Sequence, residues 1–299
     1  LVEDDGQSPE TARQALRTLI GAGVDAVIGP FTSAMAAAVM PLADQAGMLV
    51  VSPTVTALDF VGRDDQLVRI HRTTRDNAGD YARLLAQRGL RRATLAYDED
   101  NGAFSRSWLA EFRRALEAAG GQLLRALPFR AQAEPAFGEL ARQLVDGGPD
   151  VVVLVASASD APRLAQRVRL AAPQQVLAAA EWAATEVLLE LGGRAIDGLI
   201  VLQPYDRDDP SPRYRSFFED YQRRFGAEPG FGSVASHDAA TVLMDAATLR
   251  RSRQTMKEAV LAGGPYQGLQ QTIAFDRFGD TSRKVVFIEV RDGRFRPLP

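Results

Sequence analysis

The sequence predicts an α/β protein of two doubly wound parallel-sheet domains, and three observations carry that reading. Helical stretches of about 10 to 15 residues alternate with short β-branched strands, the pattern of βαβ units around a parallel sheet. The chain has 299 residues, more than the roughly 100–150 of a typical single domain. After residue 205 the alternation stops: consecutive helices follow, then a period of two, so the chain returns to finish domains begun earlier.

The first helix is read over 9–20, with Ala12, Ala15, Leu16, Leu19 and Ile20 on one face. Ser8 and Pro9 supply its N-cap and first-turn proline. Gly21 and Gly23 end it, and Val24–Ile28 is the next strand. A helix over 33–46 stops at Gly47 before the strand Met48–Val51, and Leu67–Ile70 follows as another strand. The alternation resumes with helices over 76–88, 104–119, 134–146, 160–171 and 184–191. Between and after them lie strands at Arg92–Tyr97, Gln122–Leu127, Asp150–Ala156, 175–180 and 198–202. Beyond 205 come helices Pro212–Phe225, Ser236–Arg251 and Met256–Leu261. Gln270–Phe275 and Lys284–Val290 then read as a closing antiparallel pair.

Composition narrows the function. The formal net charge is −3, with Lys+Arg 35 against Asp+Glu 38 and no basic tract, so nothing electrostatic favours nucleic acid. Apolar runs fall well short of the roughly 20 residues of a membrane span. The absence of cysteine excludes disulfides, thiolate nucleophiles and Cys-based metal sites without fixing the compartment. With two histidines, His71 and His237, no metal set is expected, and no cofactor is called for. A Ser/His/Asp relay lacks the G-x-S-x-G elbow. Gly21-Ala22-Gly23 follows a helix instead of a strand, so it reads as a helix end and not as a phosphate loop.

Two polar runs carry more information. Gly29-Pro30-Phe31-Thr32-Ser33 and Ser52-Pro53-Thr54-Val55-Thr56 each end an apolar strand and turn to small hydroxyl residues. Neighbouring parallel strands share one carboxyl edge, where ligands bind, so the two loops are expected to face one small site. Ser33, at or just before a helix start, combines a hydroxyl with free helical N–H groups, a setting for a carboxylate; a pure N-cap is the alternative. Trp182 and Tyr205 follow strand ends and read either as packing or as cover for a ligand. Glu181 reads as an anionic partner for an ammonium group. His237 is expected to open a helix after the flexible-looking Gly230–Ser233. Asp98-Glu99-Asp100-Asn101 lacks the spacing of a calcium loop and reads as a solvated strand-end turn.

With these residues in hand the sequence resembles the Leu/Ile/Val-binding protein family, the type I periplasmic substrate-binding components of ABC importers. The matching segments are Val2-Glu3-Asp4-Asp5, Ile28-Gly29-Pro30-x-x-Ser33, Val51-Ser52-Pro53-x-x-Thr56, Arg69 with Thr73, Tyr97-Asp98 with Gly102, Tyr205, Asp238-Ala239-Ala240, Ala274-Phe275-Asp276-x-x-Gly279 and Val285–Glu289. The resemblance implies two lobes joined by three crossovers and closing on a ligand. Lobe one would comprise 1–72 and the returning helices 206–262, and lobe two 73–205 with the hinge crossover and closing strands 263–299. It also implies a strand, a glycine-rich loop and a long helix ahead of a strand at Leu1–Glu3, with the first of these strands inside the lobe-one sheet, between its neighbours.

By the same resemblance Ser33 and Thr56 donate to a ligand carboxylate, the Val55 carbonyl accepts from its ammonium, and Tyr205 covers it from lobe two. The candidate ligand contacts are Ser33, Thr54, Val55, Thr56, Glu181, Trp182, Tyr205 and His237. His237 and Asn101-Gly102 depart from the family pattern, so the ligand class stays open among amino acids, short carboxylates, amides and aromatic acids. The implied function is a monomeric, non-catalytic extracytoplasmic protein, free in the periplasm or lipid-anchored, that delivers its solute to an ABC permease. A ligand-sensing ectodomain of a receptor or kinase is the alternative.

Overall fold

The computed structural model describes residues 1–133 and 136–298. Residues 1–73 form α1 (Pro9–Gly21), β1 (Ala26–Ile28), α2 (Ser33–Ala46), β2 (Leu49–Ser52) and β3 (Leu67–Arg69). Residues 74–204 form α3 (Thr74–Gln87), β4 (Arg92–Asp98), α4 (Gly102–Ala118), β5 (Gln122–Phe129), α5 (Phe137–Val145), β6 (Val151–Val155), α6 (Asp160–Ala171), β7 (Val176–Ala179), α7 (Glu186–Gly192) and β8 (Ile200–Gln203). The chain then makes α8 (Pro212–Phe225), α9 (Phe231–Leu249), α10 (Met256–Gly263), β9 (Tyr266–Gln267) and β10 (Thr272–Ile273), and finally β11 (Val286–Arg291) and β12 (Arg294–Pro297). Among the described residues no helix is long and apolar enough to cross a membrane.

Two compact units result, each made of two separated stretches: 1–73 with 205–284, and 74–204 with 285–299. In the first, β1, β2 and β3 pair in that order and in parallel. Strand alternation sends Val50 and Leu67 toward α1 and α2, where they pack with Leu16, Val39 and Ala43. Leu49, Val51 and Val68 go to the other face, against Ala239, Val242 and Ala246 of α9.

The second unit holds a seven-stranded sheet in the order β12-β11-β8-β7-β6-β4-β5. β4 to β8 are parallel, while β11 runs antiparallel to both β8 and β12. All five residues of β6 are buried. Val151, Val153 and Val155 meet Tyr81 and Trp108 on one face, and Val152 and Leu154 meet Leu144 and Leu164 on the other. Full burial of each such side chain stabilises by about 1.5–3 kcal/mol.

Several expectations need correction. Residues 1–5 form no strand, and Leu1 and Val2 are 86% and 96% exposed. The segment 263–284 and Tyr205 pack with the first unit instead of the second. Gln270–Phe275 shrinks to the two-residue β10, which pairs with β9 and not with the 284–290 strand. α9 starts at Phe231, so Gly230–Ser233 is its cap and first turn, and His237 lies inside the helix instead of opening it. The start of the helix expected over 134–146, residues 134 and 135, lies outside the described residues.

Candidate functional site

The loops after β1 and β2 converge through side chains that each contributes. Gly29 takes φ +132, open to glycine, and turns the chain off the edge strand. The Ser52 hydroxyl donates to Pro30 O at 2.7 Å and accepts from Val55 N at 3.1 Å. Thr54 Oγ1 donates to Phe31 O at 2.5 Å. The Ala57 amide donates to Ser33 Oγ at 3.4 Å. Three links therefore close the two loops on one another at the carboxyl edge of the sheet, bringing Ser33, Thr54, Val55 and Thr56 together.

Ser33 is not the cap of α2. Thr32 is, its hydroxyl accepting from Met35 N at 3.2 Å. Ser33 is the first helical residue, which frees its hydroxyl from capping while keeping it at the positive end of a 14-residue helix. Thr56 is only 4% exposed, yet its hydroxyl has no hydrogen-bond partner among the described residues. A buried hydroxyl without a partner costs about 1–3 kcal/mol. Val55 is fully buried and anchors the turn through its amide.

Behind this edge stands Arg69, 1% exposed at the end of β3. Its Nη1 donates to Ala57 O at 3.0 Å, and its Nε and Nη2 reach Asp280 Oδ1 at 3.0 and 2.5 Å. In the sequence Arg69 stands out only as a matching position, and Asp280 does not stand out. The signal was a lone cation within Leu67-Val68-Arg69-Ile70.

The other candidates lie elsewhere. Tyr205, 2% exposed, belongs to the first unit, where its hydroxyl donates to Pro229 O at 3.1 Å. His237 lines a hollow of 540 Å³ with Arg213, Phe217, Tyr221, Arg224 and Phe225, and none of Ser33, Thr54, Val55 or Thr56 lines it. The Phe217 ring lies 4.9 Å from the imidazole. Burial pushes the His237 pKa down, with Asp238 opposing and Arg213 adding to the shift.

Glu181 and Trp182 belong to the second unit. Glu181 accepts from Asn77 Nδ2 at 2.8 Å and from Trp108 Nε1 at 3.1 Å, and Trp182 stands edge-on to Phe104 at 5.8 Å. Asp98 is 2% exposed and so is not part of a solvated turn; burial raises its pKa while the Asp100 amide lowers it. Among the described residues no group of three His, Cys, Asp or Glu could hold a metal ion.

Parallel β1–β3 with polar loops at their carboxyl edge, together with the parallel run β4–β8 of the second unit, define the α/β class of the fold. Residues 1–294 match the model of the family described as periplasmic binding protein, and the chain belongs to that family. A Leu/Ile/Val-binding protein of Rhizobium johnstonii, BraC3, is 29% identical over 119 residues, or 39% of this chain. The match spans 32% of that relative's own length.

Solved structures are similar in fold at lower identity. The branched-chain amino acid transporter substrate-binding protein LivJ from Streptococcus pneumoniae, in complex with isoleucine, superposes with a TM-score of 0.90 at 16% identity, covering 99% of this chain and 84% of that one. A solute-binding protein of an ABC transporter from R. palustris, in complex with benzoate, gives a TM-score of 0.88 at 16% identity, covering 99% and 82%.

Proposed function

We propose that this chain is a non-catalytic, extracytoplasmic solute-binding protein that captures a small carboxylate, an amino acid or an aromatic acid, for delivery to an ABC permease. The observation that carries the reading is the buried Thr56 hydroxyl, unpartnered among the described residues, on the loop that Ala57 ties to Ser33 at the start of α2. A carboxylate supplies what that hydroxyl lacks. It accepts from Thr56 and Ser33 at the positive end of α2. Such charge-assisted bonds contribute about 1.5–3 kcal/mol each.

The structural relatives support the same class from outside. Isoleucine and benzoate, named with two of them, differ in shape and in the presence of an ammonium group and share a carboxylate. In an amino-acid ligand the Val55 carbonyl is the acceptor assigned to the ammonium.

Isothermal titration of the chain with isoleucine, leucine, benzoate and leucinamide tests the proposal. Heat from at least one free acid, with leucinamide silent, is the expected result. Equal binding of amide and acid, or silence from every acid in an extended panel of amino and aromatic acids, overturns it.

A further inference from the structure

We infer that Arg69 and Asp280 are positioning residues for the Ser33–Thr56 site, a buried ion pair whose task is to hold the Ala57 peptide and thereby aim Thr56. The ligand role of that site is the reading proposed above; the positioning role is a separate claim about the loop.

A cation buried at the end of an apolar strand is costly unless each donor is used, and a buried ion pair is a poor source of stability compared with apolar packing of the same volume. What Arg69 does with its donors is therefore informative. Nη1 goes to Ala57 O at 3.0 Å, and the remaining edge of the guanidinium goes to Asp280 Oδ1. The second oxygen of Asp280 accepts from Gly62 N at 2.8 Å. The pair thus fastens both ends of Ala57–Gly62, the segment that continues directly from Thr56. Ala57 is gripped on both sides, its amide on Ser33 and its carbonyl on Arg69. The 56–57 and 57–58 peptide groups are both held in this way, and with them the backbone from which the Thr56 side chain projects.

Asp280 reaches this place through a turn shaped for it. Asp276 Oδ1 accepts from the amides of Phe278 and Asp280 at 2.8 and 3.0 Å. Gly279 O accepts from Arg69 N at 3.0 Å, so the turn lies directly against β3. Gly279 has φ +94, and a Cβ there would stand 2.7 Å from Leu67 O. Only glycine permits so close an approach. A segment more than two hundred positions downstream, by the separation of Arg69 and Asp280, is in this way brought under the ligand loop.

The test uses hydrogen exchange and binding on the whole chain. In Asp280→Asn and in Arg69→Lys, exchange of the 54–57 amides is expected to quicken at least tenfold, with β2 and the β6 peptide unchanged. Unchanged exchange at 54–57 overturns the inference, as does acceleration spread evenly through the first unit, the mark of a merely stabilising pair.

Titration with isoleucine and benzoate adds a double-mutant cycle. Asp280→Asn is expected to weaken binding at least fivefold in the native background and by less than twofold in Thr56→Val, while its effect on the melting temperature is equal in both. Equal weakening in the two backgrounds also overturns the positioning role. If the native chain binds no carboxylate, the solute reading falls, and the exchange result still decides this one.

Discussion

The Ser52 hydroxyl donates to the Pro30 carbonyl at 2.7 Å, joining two loops that are 22 positions apart in sequence. The same oxygen accepts from the Val55 amide, so one buried side chain sets the spacing of the loops and the shape of the turn that carries Thr56. Ser52→Ala removes the donor and leaves the buried Val55 N–H unpaired. A loss of about 1–3 kcal/mol in stability is expected, read by urea unfolding. A midpoint equal to that of the native chain would show that the loops do not depend on Ser52.

Thr56→Val separates folding from binding. The two side chains are nearly the same shape, and the hydroxyl makes no hydrogen bond among the described residues. The ligand-free variant should be as stable as the native chain or more so. Its affinity for a carboxylate should fall by about 1.5–3 kcal/mol, roughly tenfold or more. Paired melting and titration measurements check this. Lower stability with full affinity would reverse the assignment.

Glu181 provides a check in the second unit. Its carboxylate accepts from both Asn77 and Trp108. In Glu181→Gln one of those donors must face an NH2 group, and the second unit should lose about 1–3 kcal/mol. Denaturation followed by tryptophan fluorescence is suited to the measurement, because Trp108 is fully buried beside the site of change. An unaltered unfolding curve would mean that the two bonds contribute nothing.

His71 predicts how stability varies with acidity. Burial, with the charges of Arg283 and Arg72 adding to it, pushes its pKa from 6.5 down to about 3. Its Nε2 has no hydrogen-bond partner among the described residues. Between those two values the unfolded chain binds a proton that the folded chain refuses, so stability falls as pH drops from 6.5 toward 3. The slope contributed by this one group approaches about 1.4 kcal/mol per pH unit. His71→Gln should flatten the curve in that window; an identical slope would refute the assignment.

What was legible in the sequence follows from the range of the interactions involved. Pattern and punctuation are local, so α1, α2, α6 and α8 fall close to where glycine, proline and apolar spacing put them. The convergence of the Ser33 and Thr56 loops was also readable, because two adjacent parallel strands must end on one edge. The choice between Thr32 and Ser33 as cap was not, since both hydroxyls suit the role and a single Met35 amide decides it.

The tail misled for a different reason. Gln270–Phe275 alternates like a strand, but Thr272 and Ile273 pair with β9 and Phe275 makes an isolated bridge to Thr281. Asp280 is the clearest case of information absent from local pattern. Its significance lies in Arg69 and Gly62, both far away in the chain.

The division of each unit into two stretches has a consequence for how the protein is made. β11 lies between β8 and β12, and Tyr266 and Ile273 complete the core around Leu49, Val51 and Val68. Synthesis proceeds from the N-terminus, so the first core still lacks its lid when residue 204 emerges from the ribosome. The second sheet still lacks β11 when residue 284 does. Neither unit can close its core before its own second stretch has been made, so the earlier-made part of each waits, incomplete, for residues from far downstream.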